Sequence, residues 1–273
     1  MITTVEVRNE RGVLLSLSVQ DPSSGFIVEG IDGLDPVRAV LVSSSFAQLD
    51  GAQYQSSSRE ARNIILKLRL EPDWVSTSVQ GLRSQLYQFF MPKSRVELRF
   101  VSVGMPTVSI FGRIESFESF LFSKDPAIAI SVLCFDPDFK SLDLNTVSST
   151  TTSGTTETEI VYDGTVETGV LFEMTVDRAI SEFAIRNRTP DNVVRTLEFA
   201  KAMVSGNTIA INTVPGDKSV MMTANSEDES VLYAVSPYSA WVELYPGSNF
   251  IRVSSAGAAI DYDISYTERY GGL

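Results

Sequence analysis

The sequence contains no histidine and a single cysteine in 273 residues. Without histidine there can be no Ser-His-Asp or Cys-His nucleophilic centre, no histidine-ligated zinc, and none of the commonest general base. Only carboxylate, lysine, tyrosine or serine chemistry remains. The lone Cys134 excludes an intrachain disulfide and fits folding in a reducing cytoplasm. It follows the apolar run Ile128-Ala129-Ile130-Ser131-Val132-Leu133, so a buried, inert thiol is expected rather than a nucleophile. No apolar run approaches the roughly 20 residues a membrane helix needs. Met1-Ile2-Thr3-Thr4-Val5-Glu6 lacks the basic region and apolar core of a signal peptide. No glycine-rich nucleotide or phosphate loop stands between a strand and a helix. The sequence therefore predicts no catalytic residue, no cofactor and no metal.

Positive charge is also scarce. The 22 Lys and Arg face 34 Asp and Glu, for a net charge of −12. By count, about −3 falls before residue 146 and about −9 after it. Tight nucleic-acid binding needs clustered cations to displace counterions, so sequence-specific or sequence-independent binding is not expected. An acidic channel wall, in contrast, lets DNA slide past without sticking.

What is present is a soluble, packable composition. Hydrophobic residues make up 43% of the chain and charged ones 21%, which suits a folded rather than a disordered protein. The length allows one large domain or two ordinary ones. A boundary is visible where the strand ending at Cys134 runs into Phe135-Asp136-Pro137-Asp138-Phe139. The composition then changes to Thr146-Val147-Ser148-Ser149-Thr150-Thr151-Thr152-Ser153-Gly154-Thr155-Thr156. These features predict an N-terminal domain over 1–145, a Ser/Thr tether over 146–156 and a second domain over 157–273.

The first part reads as β-rich with one helix. Thr3-Val5-Val7 and Leu15-Leu17-Val19 alternate around an Arg11-Gly12 turn, predicting an opening hairpin. Gly30 to Pro36 is loop chemistry, Asp50-Gly51 a second turn, and Asn63 to Leu70 a strand with Ile64, Leu66, Leu68 and Leu70 on one face. Leu82, Leu86, Phe89 and Phe90 recur at helical spacing over Val79 to Phe90. Ser76, Thr77 or Ser78 is available as the cap, and Pro92 is a stop. Strands follow at 95–101, 107–114 and 128–135. Gly112-Arg113 marks a bulge or a close backbone approach. After the tether, short apolar segments separated by Ser205-Gly206-Asn207, Pro215-Gly216-Asp217, Pro246-Gly247-Ser248-Asn249 and Ala256-Gly257 indicate a β-sandwich.

Few residues carry a chemical suggestion. Asp261 and Asp263 share one strand face, where a solvated surface is expected over a calcium or acid–base site. Glu227-Asp228-Glu229 reads as a solvated loop. Asn187-Arg188-Thr189 is a chance sequon without a secretory signal. Trp241 and Tyr245, with Trp74, Tyr238, Tyr262 and Tyr266, are candidates for sugar or partner contact, against the commoner role of core anchors. Arg59, Arg62, Lys67 and Arg69 open the one basic-rich region, 59–99, and are candidates for an interface with acidic neighbours, against a mixed solvated surface.

Taken in order, these landmarks resemble the distal tail protein family of siphophages. They are the Gly30 to Pro36 loop, Asp50-Gly51, Arg59-Glu60-Ala61-Arg62-Asn63-Ile64-Ile65-Leu66, Arg83 to Pro92, Gly112-Arg113-Ile114-Glu115 and Cys134 to Phe139. Gly164, the Ser-Gly-Asn turn before Thr208 to Thr213, Pro246 to Ile251 and Tyr266 to Gly272 extend the likeness over nearly the whole chain. Asp138 departs from the pattern by separating Pro137 from its aromatic. The resemblance implies a mainly β protein with a ring-forming N-terminal domain and a galectin-like C-terminal β-sandwich. It also implies a hexameric ring around the DNA channel of a virion tail tip, assembled in the bacterial host cytoplasm. The implied partners are copies of itself, the tail tube protein, the tail-tip hub and receptor-binding or fibre proteins, with no membrane insertion. The alternative reading is a carbohydrate-binding β-sandwich protein for host-surface attachment; a carboxylate hydrolase is the third.

Overall fold

The computed structural model describes residues 1–273 apart from 20, 47–49, 74, 76 and 121–124. The chain forms two compact units, one of Met1–Leu142 with Tyr270–Leu273 and one of Asp143–Arg269.

The first unit contains β1 (Ile2–Asn9), β2 (Leu14–Ser18), β3 (Phe26–Asp32), β4 (Ala39–Ser44), β5 (Gln53–Arg59), β6 (Arg62–Leu70), α1 (Val79–Tyr87), β7 (Arg95–Ser102), β8 (Val108–Phe120), β9 (Ala127–Cys134) and β10 (Phe139–Ser141). Its main sheet runs β2-β1-β7-β8-β9-β6-β3. The strands at the two ends of this path meet at one parallel bridge, Val19–Val28, so the sheet curls back on itself. Period-2 alternation explains the interior. Ile64, Leu66, Leu68 and Leu70 of β6 are buried, as are Ile128, Ile130, Val132 and Cys134 of the paired β9. Leu82 and Leu86 of α1 complete that core, and Ser78 caps the helix by accepting from the Gly81 N–H at 3.1 Å. The helix stops at Tyr87. Phe89 and Phe90 are buried beyond its end, in the turn before Pro92.

Two features of this unit follow from backbone space. At Gly112 in β8, an added Cβ would stand 2.5 Å from Val132 Cγ1 and 2.8 Å from Cys134 Sγ, so the predicted close approach is real. The ladder irregularity falls two residues later, between Ile114 and Ser116. The second feature is a hairpin. β4 and β5 pair only with each other, and every residue of both strands except Ser44 is exposed.

The second unit contains β11 (Asn145–Thr150), β12 (Thr158–Tyr162), β13 (Thr168–Gly169), β14 (Leu171–Thr175), β15 (Ile180–Arg188), β16 (Val194–Met203), β17 (Thr208–Asn212), β18 (Ser219–Ala224), β19 (Glu227–Ser230), β20 (Glu243–Leu244), β21 (Gly247–Ser255) and β22 (Asp261–Tyr266). A six-stranded sheet, β11-β22-β14-β17-β18-β19, and a four-stranded sheet, β12-β21-β15-β16, share one core. Phe172, Ile209, Ile211, Val220 and Tyr262 from the first meet Phe183, Ile185, Phe199, Ile251 and Val253 from the second. This is the sandwich that the punctuated short strands predict.

Three expectations change. The start of the Ser/Thr segment is not a tether: Asn145–Thr150 is edge strand β11, in register with β22 from Asn145–Tyr266 to Thr150–Asp261. Threonine and serine suit an exposed edge that is half solvated, and that chemistry looks the same in sequence as a linker. The last residues, Tyr270–Leu273, belong to the first unit, where Tyr270 is buried and the Leu273 N–H donates to the Leu34 carbonyl. Glu227-Asp228-Glu229, read as a loop, lies in the exposed edge strand β19. A charged edge resists pairing with other chains.

Candidate functional site

In the first unit the sequence landmarks converge on one side chain. Arg62, at the start of β6, is buried. Its Nε donates to the Pro137 carbonyl at 2.6 Å. Its Nη1 donates to the Gly33 carbonyl at 2.5 Å and the Asp35 carbonyl at 2.7 Å, and its Nη2 to the Gly271 carbonyl at 2.5 Å. The guanidinium lies 4.4 Å from the centroid of Phe139, which meets Phe100 edge-on at 5.6 Å. One planar fork thus ties the Gly33–Asp35 turn that follows β3, the Asp-Pro turn and the returning C-terminal residues to the sheet; the start of the predicted Gly30–Pro36 loop, Gly30–Asp32, is strand. Gly33 makes the approach possible. Its φ is +88°, and a Cβ there would lie 2.0 Å from the Asn63 carbonyl oxygen.

Charge is balanced at the same place. Arg59 pairs bidentately with the buried Asp138, its Nη2 donating to Oδ2 at 3.0 Å and its Nη1 to Oδ1. Asp138 is the residue that departs from the family pattern, and here it is the partner that neutralises the cluster. Burial pushes the Arg62 pKa down, and the Asp138 carboxylate opposes that shift. Burial also pushes the Cys134 thiol up from 9.0 to about 12, so the thiol is inert at neutral pH.

The four candidate interface residues therefore separate. Arg62 is not available to a partner, because its donors are spent inside the unit. Arg59 keeps an exposed side chain but is engaged with the buried Asp138. Lys67 bonds Asp32 at 2.7 Å with both side chains about half exposed, and Arg69 lies 3.5 Å from Glu29 and 3.3 Å from Glu71. Lys67 and Arg69 line the outer face of β6 with its neighbours, where each pair contributes little to stability.

The candidates for sugar contact are mostly occupied. Trp241 packs against the core of the second unit, with Lys218 Nζ 5.3 Å from its ring. The Tyr245 hydroxyl is held by Arg195 and Glu243, beneath the Arg195 guanidinium at 5.0 Å. Tyr262 and Tyr266 are buried, Tyr238 is exposed, and Trp74 and Ser76 lie outside the described residues. Asp263 accepts a hydrogen bond from Ser148 at 2.5 Å. Asn187 of the sequon is buried and donates to the Glu243 carbonyl, so it is inaccessible to glycosylation.

Sequence reasoning missed the β4–β5 hairpin. It exposes Val40, Leu41, Val42 and Tyr54 together, with Leu41 67% and Tyr54 62% accessible. The Ala39-Val40-Leu41-Val42 run before the Asp50-Gly51 turn is a signal for it. The partner Gln53-Tyr54-Gln55-Ser56-Ser57-Ser58 has no apolar alternation and hides the strand.

Residues 163–270 match the family model described as Siphovirus-type tail component, C-terminal domain, which bears out the resemblance drawn from the motifs. The solved structure of the SPP1 Dit protein, described as a paradigm of the hub adsorption apparatus in phages infecting Gram-positive bacteria, shares the fold. It aligns over 97% of this chain and 98% of its own, at 15% identity and a TM-score of 0.68. The phage p2 baseplate in its activated conformation with strontium aligns over 96% of this chain and 97% of its own, at 10% identity and a TM-score of 0.47. No curated protein matches in sequence.

Proposed function

We propose that this chain is the structural distal tail protein of a bacteriophage. Its copies close into a ring, six-fold as the resemblance implies, around the channel that DNA crosses. The ring joins the tail tube to the tail-tip hub, and the second unit carries peripheral receptor-binding or fibre proteins. Assembly takes place in the host cytoplasm, where the lone Cys134 stays reduced. The protein acts by holding neighbours in place and performs no catalysis.

The observation that carries this reading is the extent of the fold. The SPP1 Dit likeness runs across both units, and the tail-component domain occupies most of the second. Two physical features support it. The β4–β5 hairpin presents Val40, Leu41, Val42 and Tyr54 to solvent, an apolar group that a neighbouring copy would cover. With a net charge of about −3 before residue 146, the ring-forming part has no excess of cations to hold DNA in the channel. Negative-stain microscopy of the purified full chain tests the reading. Closed rings with a central hole are the expected images; uniformly small single particles at high concentration would count against it.

A further inference from the structure

The outward face of the four-stranded sheet in the second unit brings three arginines close together. Arg186 on β15 and Arg252 on β21 are direct cross-strand partners. Such partners have Cβ atoms roughly 5 Å apart on the same face, and like charges there repel. Arg188, one step along, lies over the Phe250 ring at 4.1 Å and donates to Glu157 at 2.6 Å. Glu157 is therefore committed to Arg188. Among the described residues, neither Arg186 nor Arg252 has an ion pair or a hydrogen bond, and the Nε of each is buried without a partner. Acids lie near: Glu159 opposes Phe250 and Glu198 opposes Ala184 in the same ladders, one register step away, yet neither pairs with the two arginines. The Glu157 carboxylate acts on both arginines through space, but its hydrogen bond is with Arg188, so neither Arg186 nor Arg252 spends a donor on it. Arg252 also lines a cavity of about 280 Å³ whose walls include Ser149, Thr156 and Thr158.

We propose that Arg186 and Arg252 form a binding site for a phosphoryl group. Two planar guanidinium forks side by side offer more donors than the two oxygens of one carboxylate can accept. A phosphate monoester or free phosphate supplies three or more acceptor oxygens and close to two negative charges, which matches the pair in both respects. The hydroxyls in the adjoining cavity stand where the remainder of an esterified, hydroxyl-rich ligand would extend. The site relies on this unit alone and not on ring formation.

The test is an NMR titration of the arginine Nε–H resonances in the full chain at constant ionic strength. The probes are inorganic phosphate, glycerol 3-phosphate and, for comparison, succinate. The expected result is saturable shifts of the Arg186 and Arg252 signals with a phosphate probe. Affinity should fall about tenfold or more in R186Q/R252Q, a loss of at least ~1.4 kcal/mol. R178Q, at an arginine already bonded to Asp177 and the Ala256 carbonyl, should bind as the wild type does. Binding of inorganic phosphate alone identifies a free-ion site, and binding of glycerol 3-phosphate identifies an ester site; either supports the proposal. Absence of saturable shifts, equal affinity in R186Q/R252Q, or succinate binding as tightly as phosphate overturns it. Should the double variant fail to fold, the wild-type Nε–H titration decides alone.

Discussion

A lysine at position 62 would keep the positive charge and lose the planar fork. It has one nitrogen to offer where Arg62 bonds four carbonyls from three separate segments. Arg62→Lys should therefore destabilise the first unit by about 3 kcal/mol, the cost of leaving buried polar groups unpaired. Differential scanning calorimetry reads this as a lowered Tm for one of two transitions. Lys67→Ala, which removes an exposed pair with Asp32, should change stability by less than about 1 kcal/mol. Cys134 gives a second outcome at this scale. With its pKa near 12 and no exposure, the native thiol should not react with a thiol reagent at neutral pH, and should react once the chain is unfolded. Rapid labelling of the native protein would contradict the packing described here. The inert cysteine was legible from its apolar strand. The role of Arg62 was not, because an arginine beside an exposed-looking Arg59-Glu60 reads as surface until its carbonyl partners, distant in sequence, are known.

At the level of elements, strands with one buried face were legible because their alternation is strict, as in β6 and β21. Those with little or no buried face were not. β5 is polar apart from Tyr54, β11 is Ser/Thr-rich with only Val147 turned to the core and looks like a linker, and β19 looks like a solvated acidic loop. The β18–β19 connection also lacks the usual glycine. Asn225 and Ser226 adopt φ of +52° and +66°, the two left-handed positions of a tight hairpin turn. Asparagine tolerates that region and serine less so, so Ser226→Gly should stabilise the second unit by about 0.5 kcal/mol, seen as a small rise in its Tm. The β4–β5 hairpin permits a sharper separation of stability from assembly. No residue of either strand belongs to the core. Leu41→Lys should leave the Tm of the isolated chain within about 0.5 kcal/mol of wild type, since it removes no buried contact. It should weaken association between copies, as sedimentation velocity would show. Unchanged association would move the assembly surface off the hairpin.

For the whole molecule, the sequence located the change of composition after Phe139 but not the return of the chain. The second unit is inserted between Leu142 and Tyr270 of the first, and the last four residues complete the first unit through Tyr270, Gly271 and Leu273. Four residues are too few to carry a periodicity, so no pattern in the sequence announces them. Their place explains why a domain boundary drawn at a single linker is incomplete for this chain. The central claim concerns what many such chains do together. Native mass spectrometry of the intact, purified protein tests it most directly. The account predicts a closed assembly with a mass of six copies of the 29.9 kDa chain. A protein that remains a single 29.9 kDa species as its concentration is raised would contradict it.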